Sequence, residues 1–322
     1  MPLLQTVPFI SPDALADLLA NAALIGDDEA IAAFLAGEVD PSRDVVPVRN
    51  PLPIRSDAEQ RATPQRLRRI AEQWLQVGES RMLARMVMFR HGGHVRPVIT
   101  RGSKHLRFRF VSTKTQTIQL GEGKGEAFLA KYNEVAAHVS DYECHPCEIQ
   151  YNRGNGIERY RPDAVRLLKN GSIELIEVKR TPADIKDAEL REKLATVAEI
   201  VRLCGWKFRV MYLKDVFGPP PPDNPRALPH RVGNVQALFG RRTMELGRSE
   251  KLVAGRTVGR GAPIAWADLA EQIAPRDKLR GNAVIERLLA GGMLSTELDR
   301  KFGAHTVLIP HRPVTGPSGI RL

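Results

Sequence analysis

Only three cysteines, Cys144, Cys147 and Cys204, occur in the 322-residue chain, too few and too oddly numbered to build a disulfide framework. Long apolar runs are missing as well: no stretch of about 18 or more uncharged apolar residues is available to span a bilayer. The N-terminal MPLLQTVPFISPDALADLL lacks a basic segment followed by a clean apolar stretch and a small-residue cleavage site, so a cytoplasmic protein is expected. No internal repeat occurs at solenoid periods. What is present is a foldable composition, 43% hydrophobic with 26% charged, as in ordinary globular proteins. Acidic residues are outnumbered: 48 Lys and Arg against 37 Asp and Glu leave a formal charge of +11. That excess favours a polyanionic partner, and without a membrane span nucleic acid is preferred over a lipid surface.

Punctuation divides the chain. SPDALADLLANAALIG, with Ser11 before Pro12, and TPQRLRRIAEQWLQVG, with Thr63 before Pro64, each place an N-cap ahead of a proline at the first helical position. They make residues 1–94 a helical accessory region without a chemical motif, with the proline-rich DPSRDVVPVRNPLP between the two helices. A block over 95–217 alternates strand and helix patterns. GPPPPDNP at 218–225 then reads as a stiff, extended linker, which sets 226–322 apart as a further domain. CHPC at 144–147 has no second C-x-x-C to complete a zinc site, and it opens a strand pattern, not a redox helix; structural thiols are the expectation.

RYRPDAVRLLKNGSIELIEVKRT at 159–181 carries the chemistry. Asn170-Gly171 is a turn signal, and the turn type decides which side chains share a face. A two-residue turn would put Asp163 opposite Val178 and away from Glu177. A three-residue connection, Lys169-Asn170-Gly171 with Gly171 left-handed in a G1 bulge, puts Asp163 opposite Glu177, Val165 opposite Leu175 and Leu167 opposite Ile173. The second register sorts the side chains better. One face carries Val165, Leu167, Ile173 and Leu175 and ends in Asp163, Glu177 and Lys179. The other, with Ala164, Leu168, Ile176 and Val178, is also apolar, as in strands covered on both sides. Opposed carboxylates repel by roughly 0.2 to 1 kcal/mol, and one ammonium cannot coordinate both. A hard divalent cation can, and Mg²⁺ takes one or two carboxylates together with phosphate oxygens.

A third carboxylate is available upstream. The helix pattern GKGEAFLAKYNEVAAHV at 123–139 has an apolar stripe through Phe128, Leu129, Tyr132, Val135, Ala136 and Val139, and Glu126 extends it. An ordinary account of Glu126 also exists, since acidic residues favour the first helical turn. Glu122 and Glu134 are alternates, Glu134 lying off the stripe where it should be solvated. After the hairpin, TPADIKDAELREKLATVAEIVRLCG reads as one helix with Thr181 as N-cap and Gly205 as C-cap, leading into the strand WKFRVMYL.

The order helix, strand, hairpin, helix, strand resembles the restriction-endonuclease-like PD-(D/E)xK nuclease fold, with Pro162-Asp163 and Glu177-Val178-Lys179 matching its two signature elements. It further resembles the TnsA-like endonuclease subunits of heteromeric cut-and-paste transposases, through Glu126, CHPCEIQY, RYRPDAV, LIEVK and RLCGWKFRVMYL, over about residues 95–217. His145 stands where that family commonly has Gln, and a structural histidine is the expectation there. Ala164 replaces a frequent aromatic. The resemblance implies an α/β nuclease core, a mixed sheet flanked by helices, that hydrolyses phosphodiesters with one or two Mg²⁺ ions, Mn²⁺ being able to substitute. Asp163, Glu177 and Glu126 would hold metal, and Lys179 would orient the attacking water. It implies double-stranded DNA, a DDE-type transposase subunit and an ATPase regulator as partners, with cleavage of the strand at transposon ends that the transposase leaves uncut. The other readings are a stand-alone nuclease of the same fold, in restriction, phage defence or recombination, and a non-catalytic DNA-binding assembly protein.

The last hundred residues fit this picture. IAWADLAEQIAPRDKLRGNAVIERLLAGGMLSTELD reads as two helices around a turn, followed by a strand at HTVLIP. Trp266, Leu269, Ile273, Val284, Ile285, Leu288 and Leu289 form the expected core, resembling a winged helix. Arg276, Lys278, Arg280 and Arg287 are candidates for phosphate or for an acidic partner, or simply a solvated face. Lys104, Arg107 and Arg109 in RPVITRGSKHLRFRF, with Arg161 and Arg180 beside the hairpin, are candidate DNA contacts. The same strand reads equally as an amphipathic edge protected by charge.

Overall fold

A computed structural model describes residues 74–77, 82–88, 94, 106–152, 157–203 and 205–311. The chain forms β1 (Trp74–Val77), β2 (Met82–Met88), β3 (Arg107–Val111), β4 (Ile118–Glu122), α1 (Lys124–Val135), β5 (Val139–Cys144), β6 (Cys147–Asn152), β7 (Ile157–Tyr160), β8 (Ala164–Leu168) and β9 (Ile173–Lys179). After a 3₁₀ turn at Pro182–Ile185 come α2 (Ala188–Leu203), β10 (Lys207–Tyr212), α3 (Leu213–Phe217), α4 (His230–Arg241), α5 (Arg248–Arg260), β11 (Ile264–Ala265), α6 (Trp266–Ile273), α7 (Lys278–Ala290), β12 (Leu294–Ser295) and β13 (Val307–Pro310). The protein is α/β, and its central sheet is mixed. In the order β10-β9-β8-β5, β10 runs parallel to β9 while β8 and β5 are antiparallel to their neighbours.

The β8–β9 hairpin takes the three-residue register. Val165 pairs with Leu175 and Leu167 with Ile173. Gly171 has φ +82°, its N–H reaches the Leu168 carbonyl at 2.9 Å, and the Leu168 N–H reaches the Ser172 carbonyl at 2.9 Å. This is the G1 bulge geometry, and glycine adopts it without the steric cost other residues meet at positive φ. Alternation along the strands then feeds two cores. Val165, Ile173 and Leu175 pack with Leu194, Val197, Ile200 and Val201 of α2, while Ala164 and Ile176 pack with Phe128 and Leu129 of α1. The second face is less apolar than its pattern suggests. Arg166 and Glu174, cross-strand partners, are both buried there, with Arg166 Nε and Nη2 on Glu174 Oε2 at 2.8 and 2.7 Å. Two guanidinium N–H groups converge on one carboxylate oxygen while Arg209 reaches the other at 3.2 Å, so the buried charges keep directed hydrogen bonds.

Four sequence expectations are corrected. First, Trp74–Val77 is strand β1, paired antiparallel with Met82–Arg85 of β2, and not the end of a helix begun at Thr63. Ladder partners outweigh local helix preference there. Since β2 in turn pairs with β6, the boundary at residue 94 runs through the sheet β1-β2-β6-β7. Residues 1–73, including the Ser11 helix, lie outside the described residues. Second, Glu134 is not solvated but 1% exposed. The β3–β4 turn covers it, with Ser112 Oγ, Thr113 Oγ1 and Tyr142 Oη donating to its carboxylate at 2.5, 2.6 and 2.8 Å. The same turn sends Lys114 Nζ to the carbonyls of Asn133, Ala136 and Val139 at 2.6, 2.9 and 2.9 Å, satisfying orphan acceptors past the end of α1.

Third, the helix after Lys179 is broken. Thr181 begins only the 3₁₀ turn, its N–H bonding Asp184 Oδ2 at 3.0 Å. Asp187 starts α2, accepting from the Leu190 N–H at 2.9 Å; its side chain offers the helix a nearer cap than Thr181. Fourth, residues 218–225 do not run out as an extended spacer. They turn, with Asn224 N–H on the Pro221 carbonyl at 3.0 Å and Ala227 N–H on the Asn224 carbonyl at 2.9 Å. Beyond them, Val235 and Leu238 of α4 join Phe128, Leu129 and Val135 of α1 in one apolar core that continues into α6 and α7. Arg231 ties the parts together, donating to Asp299 Oδ1 and Oδ2 at 2.5 and 2.6 Å and to the Asp215 carbonyl at 2.7 Å.

Candidate metal centre

The candidate site forms where the hairpin ends. Its ladder stops at Ala164–Ile176, one step before the expected pairing of Asp163 with Glu177. Asp163 leaves the regular pattern: its N–H bonds the Ile176 carbonyl at 3.0 Å, and its Oδ2 accepts the Val178 N–H at 2.7 Å. The carboxylate therefore folds across the end of β9. Beneath it the first turn of α1 packs against β9, close enough that a Cβ on Gly125 would lie 2.8 Å from Val178 Cγ1 and 2.5 Å from Leu213 Cδ2. Only glycine permits that approach, and it brings Glu126 to the strand end. Glu126 Oε2 also accepts the Glu122 N–H at 3.1 Å, so its first-turn role and its site position coexist.

The third member comes from the link between β5 and β6. His145 has φ +45°, and its N–H bonds the Asp163 carbonyl at 2.9 Å, which fastens the two segments to each other. Its ring is 1% exposed, with Nε2 at 3.2 Å from Glu126 Oε2. That contact has ion-pair distance without hydrogen-bond geometry, and Nε2 has no hydrogen-bond partner among the described residues. One ligand atom each from Glu126, His145 and Asp163 lie within 4.8 Å of one another. Behind His145, the ring of His94 stands edge-on at 6.4 Å and is itself held by the carbonyls of Cys144 and Ile118 at 2.7 and 3.0 Å.

Glu177 stands outside that trio. Both of its oxygens are engaged, Oε2 by the Tyr160 hydroxyl at 2.6 Å and Oε1 by Lys179 Nζ at 2.5 Å. The lysine thus neutralises Glu177, while Asp163 receives a backbone N–H. Electrostatics set the carboxylates of the cluster against one another. Burial, then the Glu177 and Glu126 carboxylates, hold Asp163 well above the usual carboxylate range, against the opposing effects of the Val178 N–H and Lys179. Burial works against the Lys179 ammonium, yet Glu177 and Asp163 outweigh it and raise its pKa. Burial and Glu177 push the Tyr160 phenol up, so it stays a donor.

The donor set fits a divalent ion: two carboxylates and an imidazole nitrogen converge, and the buried Nε2 has no hydrogen-bond partner among the described residues. Both C-x-x-C thiols are buried, and Cys144 sits close enough to the site that burial, then Glu143, Glu126 and Asp163, raise its pKa well above the ordinary thiol. His145, expected from the sequence to be a structural histidine, stands beside Glu126 and Asp163. Its signal was present, a histidine before proline at a strand junction, but nothing in the spacing placed it beside Glu126.

The candidate DNA contacts divide. Lys104 lies outside the described residues. Arg109 is exposed on β3. Arg107 Nε lies 3.7 Å from its cross-strand partner Glu122. Arg161 is engaged by the buried Glu148, with Nε at 2.6 Å, and Arg180 by Asp184 at 3.1 Å. In the C-terminal part, Arg280 is held by Glu250 at 2.6 and 2.8 Å and Arg287 donates to the Met244 carbonyl at 3.0 Å, whereas Lys278 is exposed beside the start of α7.

No protein-family model matches the chain, and no curated protein matches it. Among the described residues, no helix is long and apolar enough to cross a membrane.

Proposed function

We propose that this chain is a divalent-metal-dependent DNA endonuclease of the PD-(D/E)xK type, acting as the TnsA-like subunit of a heteromeric cut-and-paste transposase. The observation that carries the reading is the convergence of Glu126 and Asp163 at one end of a two-sided sheet, with the Glu177–Lys179 pair beside them. The order α1, β5, β8–β9, α2, β10 in a mixed sheet supports a nuclease core. The order α5-β11-α6-α7-β12-β13, with strand order β11-β13-β12, supports a winged-helix reading of the C-terminal part.

A divalent ion bound here supplies Lewis-acid polarisation of the scissile phosphate. Asp163 and Glu126 bind that ion through their carboxylates. Lys179, pinned by Glu177, presents a fixed positive charge that orients the attacking water and faces the negative charge developing on the phosphate. Tyr160 holds Glu177, and through it Lys179, in place. No covalent intermediate on the chain is required. The net positive charge supplies salt-sensitive, sequence-independent affinity for DNA, so the DDE-type transposase and the ATPase regulator would choose the site.

Excision reactions with these partners, their ends mapped by sequencing, test the reading. The parent chain should yield cuts on both strands at each transposon end, and Asp163→Ala cuts on the transposase strand alone. Cleavage of both strands by Asp163→Ala would remove the proposed role.

A further inference from the structure

We propose that His145 Nε2 is itself a metal ligand, completing with Glu126 and Asp163 a mixed imidazole–carboxylate site that takes a first-row transition ion such as Mn²⁺ in preference to Mg²⁺. The inference rests on the metal-dependent reading above and narrows which ion that site takes.

Three observations carry it. His145 Nε2 is buried without a hydrogen-bond partner among the described residues, yet sits 3.2 Å from Glu126 Oε2, and one ring nitrogen of His145 lies within 4.8 Å of a carboxylate oxygen of Asp163. A buried polar nitrogen left this way is costly unless something fills the space it faces. The residue is also held against its own preference. It has φ +45° and precedes Pro146, a position where non-glycine residues normally stay extended, and its N–H is tied to the Asp163 carbonyl at 2.9 Å. Finally, the His94 ring stands edge-on to it with centroids 6.4 Å apart. The imidazole is thus fixed before any ion arrives, as an oriented ligand would be.

Ligand chemistry sets the preference. Mg²⁺ is a hard ion that prefers all-oxygen coordination and gives up water reluctantly. Imidazole nitrogen raises affinity for transition ions and does little for Mg²⁺. Glutamine at this position would offer oxygen in place of nitrogen and remove the bias.

The test uses the full chain and two probe ions, Mn²⁺ and Mg²⁺. Mn²⁺ binding is followed by electron paramagnetic resonance, Mg²⁺ by competition, and ligation by the electron spin-echo modulation from imidazole ¹⁴N. The parent should bind Mn²⁺ at least about tenfold more tightly than Mg²⁺ and show ¹⁴N modulation; His145→Gln should lose about tenfold of Mn²⁺ affinity and the modulation, with Mg²⁺ affinity within about twofold. If His145→Gln does not fold, the ¹⁴N signal of the parent decides alone. Mn²⁺ bound without ¹⁴N modulation overturns the inference, and persistent plasmid nicking would then leave the endonuclease reading standing. Absence of binding by either ion, with no nicking, overturns both. Mn²⁺ bound with ¹⁴N modulation but no nicking supports the ligand set and removes the endonuclease reading.

Discussion

Tyr160 donates its hydroxyl to Glu177 Oε2 at 2.6 Å, from the end of β7 to the end of β9. The contact crosses between the two four-stranded sheets, since β7 belongs to one and β9 to the other. It fixes the one site carboxylate that Lys179 also grips. A charged acceptor in a buried setting makes this hydrogen bond stronger than a neutral one. Tyr160→Phe should destabilise the chain by about 1.5 to 3 kcal/mol in urea unfolding and slow nicking by loosening Lys179. An unchanged unfolding midpoint would mean that Glu177 is held by Lys179 alone.

Asp163 and its neighbours make a second prediction. Its carboxylate is held above the ordinary range by burial and by Glu177 and Glu126, so at neutral pH and without metal its charge opposes folding. Asp163→Asn keeps an oxygen acceptor for the Val178 N–H and removes that charge. In a chelating buffer it should melt above the parent, by a few degrees for about 1 kcal/mol gained. A large fall in melting temperature would assign Asp163 a structural role instead.

Glu134 should behave in the opposite sense with pH. Burial raises its pKa, but hydrogen bonds from Ser112, Thr113 and Tyr142 outweigh this and leave it below the ordinary value. A depressed carboxylate stabilises fully above the unfolded value, near 4.3, and the gain disappears as pH falls through the folded value. The stability difference between parent and Glu134→Gln should therefore be constant at neutral pH and shrink below about pH 4. A difference independent of pH would contradict this balance.

Leu238 of α4 tests the union of the C-terminal helices with the part built on the β10-β9-β8-β5 sheet. It is buried in the core shared with Phe128, Leu129 and Val135 of α1. Leu238→Ala should cost about 2 to 5 kcal/mol, and a single unfolding transition should report on both parts together. Two transitions, with only the later residues destabilised, would show that this core does not couple them.

Much of the hairpin was legible because two independent signals agreed. Asn170-Gly171 marked the turn, and the apolar alternation of Val165, Leu167, Ile173 and Leu175 selected its register. The helix pair around Pro275 was legible for the same reason, through the periodicity of Trp266, Leu269, Ile273 and Val284. Long-range relations were not. The burial of Glu134 depends on a β3–β4 turn that no helical period announces, and the strand character of Trp74–Val77 depends on a partner that its own residues do not name. Helices α4 and α5 passed unnoticed because glycines at 233, 240, 255 and 259 dilute their local propensity. At the site, Asp163, Glu177 and Lys179 could be read from spacing, but the neighbourhood of Glu126 and His145 arises only when Gly125 lets α1 meet β9.

The most direct measurement is nicking of supercoiled plasmid mapped on the strand that the transposase leaves uncut, by the purified chain with its partners, comparing parent, Asp163→Ala and Lys179→Ala in Mg²⁺, in Mn²⁺ and in a chelator. The account predicts metal-dependent nicking by the parent and none by either variant, with circular dichroism unchanged. Nicking by Asp163→Ala at the parent rate, or by the parent in chelator, would contradict it.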